Sequence, residues 1–204
     1  MNARPPQDRT AELDNELRRL LGRWTNAAPP VRSAGAAVTV VLREGRSDLE
    51  VLLLERTVRA DDPASGQVSL PGGRVDSTDI TLADTALREL HEEVGLGAED
   101  LAGPPTYVLI QPAPVFGLEV AVFAAPLGPR SAGPRVESQQ EVAHVFWMPR
   151  AAIAQPKRVV RETSVGPREV DALVVDSHVV WGFTLRVLNR FFRDDSPQAN
   201  STRP

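Results

Sequence analysis

Between Leu82 and Val94 the apolar residues recur with helical spacing. Leu82, Ala83, Ala86, Leu87, Leu90 and Val94 fall on one stripe of a helix advancing roughly 100° per residue. Glu89 and Glu93 run along the border of that stripe, and Glu92 lies one step further round, beside Arg88. Carboxylates spaced i, i+3 and i+4 are neighbours on a helix surface and repel one another. A divalent cation is the obvious compensation. Oxygen-only ligands of full negative charge suit a hard ion such as Mg2+ or Mn2+, which keeps several waters and is completed by substrate phosphates. The bland alternative is an exposed, Glu-rich helix end closed by a glycine cap at Gly95. The residues upstream favour the first reading. Val68 to Leu70 reads as a short strand, and Pro71-Gly72-Gly73 as a sharp turn in which the backbone can approach a metal or phosphate with no side chain in the way.

Composition narrows the class. A chain of 204 residues, 42% hydrophobic and 25% charged, supports one substantial core and is ordinary for a globular domain. The net charge of −4 argues against general nucleic-acid affinity, which needs a basic excess. The absence of cysteine excludes disulfides and thiol chemistry. With no signal peptide and no long apolar span, the reading is cytoplasmic with no membrane partner.

In order along the chain, residues 1–30 read as a helical extension and linker. Thr10 caps a helix to Leu21 whose stripe is Leu13, Leu17, Leu20 and Leu21, fit to pack on the outside of the domain. Residues 31–194 form the main domain. Gly35 to Leu42 and Leu49 to Glu55 are apolar runs expected to pair as a buried hairpin. Arg56 to Gln67 is a loop carrying Arg56, Arg59, Asp61 and Asp62. Tyr107 to Gln111 and Leu118 to Ala125 are strands joined through the loop PAPVFG, whose prolines resist ladder bonding. Pro126 to Ser138 is a Pro/Gly-rich flap, a solvated loop first and a source of Arg130 or Arg135 second. Val159 to Glu162 and Val170 to Val175 make a last hairpin. Ser177 to Arg193 is a helix capped by Ser177, with Trp181, Leu185, Leu188 and Phe192 on one face. Residues 195–204 are a disordered tail. Periodicity alone gives an α/β fold.

The segment Arg88-Glu89-Leu90-His91-Glu92-Glu93-Val94-Gly95-Leu96 resembles the second half of the Nudix box, R-E-U-x-E-E-x-G-U with U apolar, and Gly73 looks like its opening glycine. Gly73 lies one residue further from Arg88 than the usual box has it. The position of the first box glutamate falls at Ile80, so its pairing role in the loop passes to Asp76 or Asp79. This lengthened form resembles the coenzyme A pyrophosphatase branch. So do Gly66-Gln67-Val68-Ser69-Leu70-Pro71-Gly72-Gly73, with Leu where the branch has Phe, and the late segment VWGFTLRVL from Val180. LLLERT approximates a further pattern of the branch, whose later arginine is not reproduced. Glu141-Val142-Ala143-His144-Val145-Phe146-Trp147-Met148-Pro149 resembles a strand of the Nudix family, E-V-x-x-x-x-W-x-P, which implies a strand leading into a short helix, here Arg150 to Ala154, with His144 a structural histidine first and a substrate contact second.

The resemblance implies a Nudix-type α/β/α sandwich with a mixed central sheet, to which the N-terminal helix is added. It also implies a metal-dependent hydrolase of a diphosphate in a nucleoside diphosphate derivative. Glu89, Glu92 and Glu93 would hold Mg2+ or Mn2+ with the carbonyl of Gly73. Arg88 would orient Glu92 or another box carboxylate. Glu141 or Glu89 would be the base, with Glu137 in reserve. Arg56, Gly72 and Gly73 would contact substrate. Coenzyme A or an acyl-coenzyme A is the first expectation. The rivals are ADP-ribose, dinucleoside polyphosphates or oxidised nucleoside diphosphates, and a non-catalytic nucleotide-binding module. Relatives are often dimers, which leaves a homodimer open.

Overall fold

The fold begins with two runs too apolar to face water on either side. Ala36–Glu44 (β1) and Leu49–Arg56 (β2) pair antiparallel around a turn in which the Gly45 N–H donates to the Asp48 carbonyl at 2.8 Å. The computed structural model describes residues 6–24, 34–60, 65–163 and 166–193.

β1 and β2 pair only near their turn, at Leu42 to Glu44 against Leu49 to Val51, and then diverge. Into the gap runs a wedge. Val68–Ser69 (β3) pairs with β2, the Thr39 N–H donates to the Pro71 carbonyl at 2.9 Å, and Gly72–Arg74 (β4) pairs with β1. The sharp turn expected over Pro71-Gly72-Gly73 is therefore a correction: the chain bends at Pro71, and the two glycines form strand, with Gly73 opposite Ala37 and Gly72 opposite Val38. Gly72 holds φ 148, and a Cβ there would lie 2.2 Å from the Ala37 carbonyl oxygen, so only glycine lets the wedge seat this deeply.

The sheet is completed by Thr106–Ala113 (β5), Leu118–Pro126 (β6) and Val142–Pro149 (β7). Its order is β3-β2-β1-β6-β5, with β4 on β1 and β7 on β2, and β6 runs parallel to β1, which makes the sheet mixed. β5 continues through Pro112 and Ala113, beyond the expected end at Gln111. It is an edge strand, where a missing N–H is tolerated.

Alternation along β1 divides the core between two faces. Val38, Val40 and Leu42 pack with Leu17 and Leu20 of Pro6–Gly22 (α1), with Trp24, and with Leu185, Leu188 and Phe191 of Gly182–Phe192 (α3). Ala37 and Val41 face Leu82–Val94 (α2), which buries Leu82, Ala86, Leu90 and Val94. Helices thus cover both faces, as the sandwich expectation had it. α1 starts at Pro6, four residues before the expected cap, so Thr10 lies inside it. Arg150 bridges Glu16 of α1 and Asp48, 2.8 Å from the latter, tying the helix to the β1–β2 turn.

Beyond the main sheet, Lys157–Arg161 (β8), Arg168–Val175 (β9) and His178–Trp181 (β10) form a second, three-stranded sheet. The expected helix from Ser177 is corrected here. Asp176 takes a left-handed φ of 51 and turns the chain back on itself, and Val179 to Trp181 pair with β9 before α3 begins. Trp181 therefore precedes the helix, and its buried aromatic is Phe191, with Phe192 half-buried. The expected tail, Asp61 and Asp62, and the segment Asn26 to Pro30 lie outside the described residues.

Candidate active site

α2 is held at both ends. The Thr81 side chain accepts from the Asp84 N–H and the Asp84 carboxylate accepts from the Thr81 N–H, while Gly95 closes the other end at φ 65. Its stripe lies on β1, which turns the Glu89–Glu93 border toward the wedge. There the Gly72 N–H donates to Glu93 Oε2 at 2.8 Å. Gly73 abuts Glu89 so closely that a Cβ would sit 2.5 Å from its carboxylate. Gly73 matters by leaving room for the Glu89 carboxylate, and Gly72 by seating against the Ala37 carbonyl oxygen while its N–H meets Glu93.

Arg88 organises the rest. Nε and Nη2 form a fork on Asp79, at 3.0 and 2.9 Å, and Nη2 also donates to the Arg74 carbonyl at 2.9 Å. Nη1 donates to Glu89 Oε1 at 2.8 Å and to Glu92 Oε2 at 3.1 Å. Asp79 further accepts from Thr85 Oγ1 and from the Asp76 N–H, each at 2.8 Å. Of the two aspartates offered as substitutes for the first box glutamate, Asp79 makes the pairing; Asp76 caps the turn by accepting from the Thr78 N–H. The Arg88 fork holds the Asp79 carboxyl far below the usual carboxylate range.

The electrostatic character of the acidic wall follows from burial. Glu93 is 2% exposed, and desolvation pushes its carboxyl up to about 8, against the opposing pull of the Gly72 N–H. The nearest described cation, Arg56 Nη1, stands 4.0 Å from Glu93 Oε1. Burial also raises Glu89, with Arg88 opposing it, while Glu92 keeps 56% of its side chain exposed. A buried carboxylate so weakly compensated, beside two more, fits a hard divalent cation. No three His, Cys, Asp or Glu side chains among the described residues form a ready cage. Glu89 and Glu92 are turned onto Arg88, and Glu93 onto Gly72.

Glu89, Glu92, Glu93 and Glu141 line one cleft of about 600 Å3, together with Arg56, Gly72 and Gly73. Arg88 sits behind the wall and aims it, and Glu137, the reserve base, does not line the cleft. Arg56 ends β2 rather than belonging to the loop after it, and a register shift between Glu55 and Arg56 places it opposite Val142. Arg130 and Arg135 of the flap do not line the cleft. Arg135 pairs with Glu137 at 2.8 Å, and the Arg135 and Glu137 N–H groups bond to the carbonyls of Val94 and Glu93. His144 is also outside it, stacked at 5.3 Å on His178.

The cleft holds residues that sequence reasoning did not assign. Arg59 and Arg74 add positive charge, Phe116 and Leu118 form an apolar side, Trp181 comes from the end of β10, and Phe183 and Thr184 come from the start of α3. Thr184 is fixed by donating to the Val68 carbonyl at 3.0 Å. The signal for the last three was the segment VWGFT, whose wall-forming role shows only once β10 and α3 are seen to meet β3.

Residues 33–166 match the NUDIX domain model. The chain is 38% identical over 156 residues to mitochondrial coenzyme A diphosphatase NUDT8 of Homo sapiens, covering 74% of this chain and 62% of that one, so it spans under two thirds of that relative. It is 34% identical over 164 residues to the Nudix hydrolase NudL of Salmonella paratyphi B, covering 77% and 79%. The fold is shared with the MutT protein of Methanosarcina mazei at a TM-score of 0.51 and 17% identity, over 82% of this chain and 99% of that one. Among the described residues no helix is long and apolar enough to cross a membrane. With identity of this order across most of the NudL chain, and a domain match that takes in β1 to β8 together with α2, the protein belongs to the Nudix family.

Proposed function

We propose that this protein hydrolyses the diphosphate of a nucleoside diphosphate derivative, with coenzyme A or an acyl-coenzyme A as substrate and Mg2+ or Mn2+ as cofactor. The observation that carries the reading is Glu93, a carboxylate buried without an adequate cation on the wall of a cleft that also presents arginines. Glu89, Glu92 and Glu93, with the Gly73 carbonyl, are the ligands. A divalent ion bound there supplies neutralising charge for the diphosphate and lowers the pKa of a bound water.

The chain's own groups do the rest. Arg88 sets the angle of Glu89 and Glu92 and is itself fixed by Asp79. Arg56 meets a phosphate oxygen from the opposite side. Glu141 takes the proton of the attacking water: its side chain lines the cleft, is exposed, and forms no hydrogen bond or ion pair among the described residues. Glu89, held by Arg88, is the less mobile alternative. The substrate preference rests on the resemblance to the coenzyme A diphosphatase and on the branch segments GQVSLPGG and VWGFT, both of which contribute to the cleft.

The test is a panel of diphosphates with Mg2+ or Mn2+, read by product mass. Coenzyme A should yield a phosphopantetheine and adenosine 3',5'-bisphosphate. Turnover of ADP-ribose or a dinucleoside polyphosphate with coenzyme A untouched would move the substrate. Nucleotide binding with no turnover of any member would leave a non-catalytic module.

A further inference from the structure

A second cavity of about 600 Å3 lies in the seam between the two sheets, where β8 and β10 face the end of β2 and β3. It shares Gln67, Val68 and Trp181 with the cleft of the candidate active site, so the two cavities adjoin across these residues. Arg161, at the end of β8, lines this cavity. Its Nε is buried with no hydrogen-bond partner, and it forms no ion pair among the described residues. Unmet buried donors are costly and uncommon, and one on an arginine that lines a cavity points to an anionic oxygen there.

The surroundings limit what that ligand is. Glu55 is engaged, its Oε2 3.1 Å from His178 Nδ1, and the His178 ring lies 3.9 Å over Phe146. Glu162 stands at the exposed rim. The cavity is therefore not broadly cationic; it offers an anion one oriented fork. A planar guanidinium suits a phosphate, which it can grip through two parallel bonds.

Resting on the diphosphatase reading, we propose that this cavity is a subsite for a phosphomonoester that the substrate carries away from the scissile diphosphate, and that Arg161 selects for it.

Two pairs of ligands, each differing only by that group, test this on the full chain. The first is coenzyme A against its 3'-dephosphorylated form, compared by KM. The second is adenosine 3',5'-bisphosphate against adenosine 5'-monophosphate, compared by Kd from calorimetry, which needs no turnover. The phosphorylated member should be favoured about tenfold in each pair. Arg161→Ala should collapse the ratio to about one, and Arg161→Lys should restore part of it. Equal affinities in the wild-type protein, or a ratio unchanged in Arg161→Ala, would overturn the proposal. Binding of inorganic phosphate that depends on Arg161, without discrimination in either pair, would overturn it in favour of a free-anion site. A binding ratio retained while no diphosphate is hydrolysed would instead remove the catalytic reading and keep the subsite.

Discussion

The Glu89 carboxylate fills the space that Gly73 leaves by having no side chain, 2.5 Å from where a Cβ would stand. Gly72, its neighbour, faces main chain instead: a Cβ there would lie 2.2 Å from the Ala37 carbonyl oxygen. The two glycines should therefore respond differently to alanine. Gly73→Ala displaces the end of a flexible side chain, so stability should change by under about 1 kcal/mol while turnover falls about tenfold or more with Glu89 misplaced. Gly72→Ala forces the wedge off β1 and should cost about 2–4 kcal/mol. Denaturant titration beside initial rates separates them, and equal stability losses would refute the assignment.

Glu93→Gln should lower turnover at least about a hundredfold, as for loss of a main electrostatic element, with the circular dichroism spectrum unchanged. Unaltered turnover would mean that Glu93 is not a ligand.

The same residue predicts a pH dependence in chelator. Burial raises the Glu93 carboxyl to about 8, above its unfolded value near about 4.3. The folded chain therefore binds the proton more tightly. Its contribution is fully present below the unfolded value and is lost as pH rises through about 8. Chelated protein should melt at lower temperature at pH 8.5 than at pH 5. Glu93→Gln should flatten that decline, and added Mn2+ should offset it in the wild-type protein alone. A wild-type profile as flat as the variant's would count against the buried carboxyl.

Asp79→Asn removes the charge that fixes Arg88. The Asp79 side chain is 4% exposed and its pKa is depressed, chiefly by Arg88. Its stabilisation is present above the unfolded value near about 3.9 and lost as pH falls toward the folded one. The variant should lose about 1–3 kcal/mol at pH 7 and less in acid, with activity reduced about tenfold as Glu89 and Glu92 lose their fixed donor. A constant difference between the two proteins from pH 7 to pH 3 would contradict this.

Trp24→Ala tests the far face. Trp24 is 1% exposed and stacks on Phe191 at 6.4 Å between centroids. Its truncation should cost about 3–5 kcal/mol, measured by denaturant, with KM unchanged at a temperature where the variant remains folded.

The acidic helix was legible because its period, cap and carboxylate spacing all lie within one element. β1, β2 and β6 were legible as unbroken apolar runs. The start of α3 was not: Val179, Val180 and Trp181 suit a strand as well as a helix, and the outcome turned on Asp176 accepting a left-handed φ. Nor could a three-residue strand at Gly72 show any periodicity, since its pairing is written in β1, far away in the chain. Phe116, Arg74 and Trp181 reach the cleft from separate elements, a convergence that sequence spacing does not encode.

The wedge sets where this domain can gain or lose residues. Apart from Asp79, Val75 to Ile80 is a solvent-facing turn, with Ile80 82% exposed, and an added residue before Asp79 leaves both β4 and α2 in register. An insertion between Val68 and Gly73 has no such outlet. It would slide the glycines along β1 by about 3.3 Å and set a side chain where Glu89 now rests, so tolerance to indels should change abruptly at Arg74.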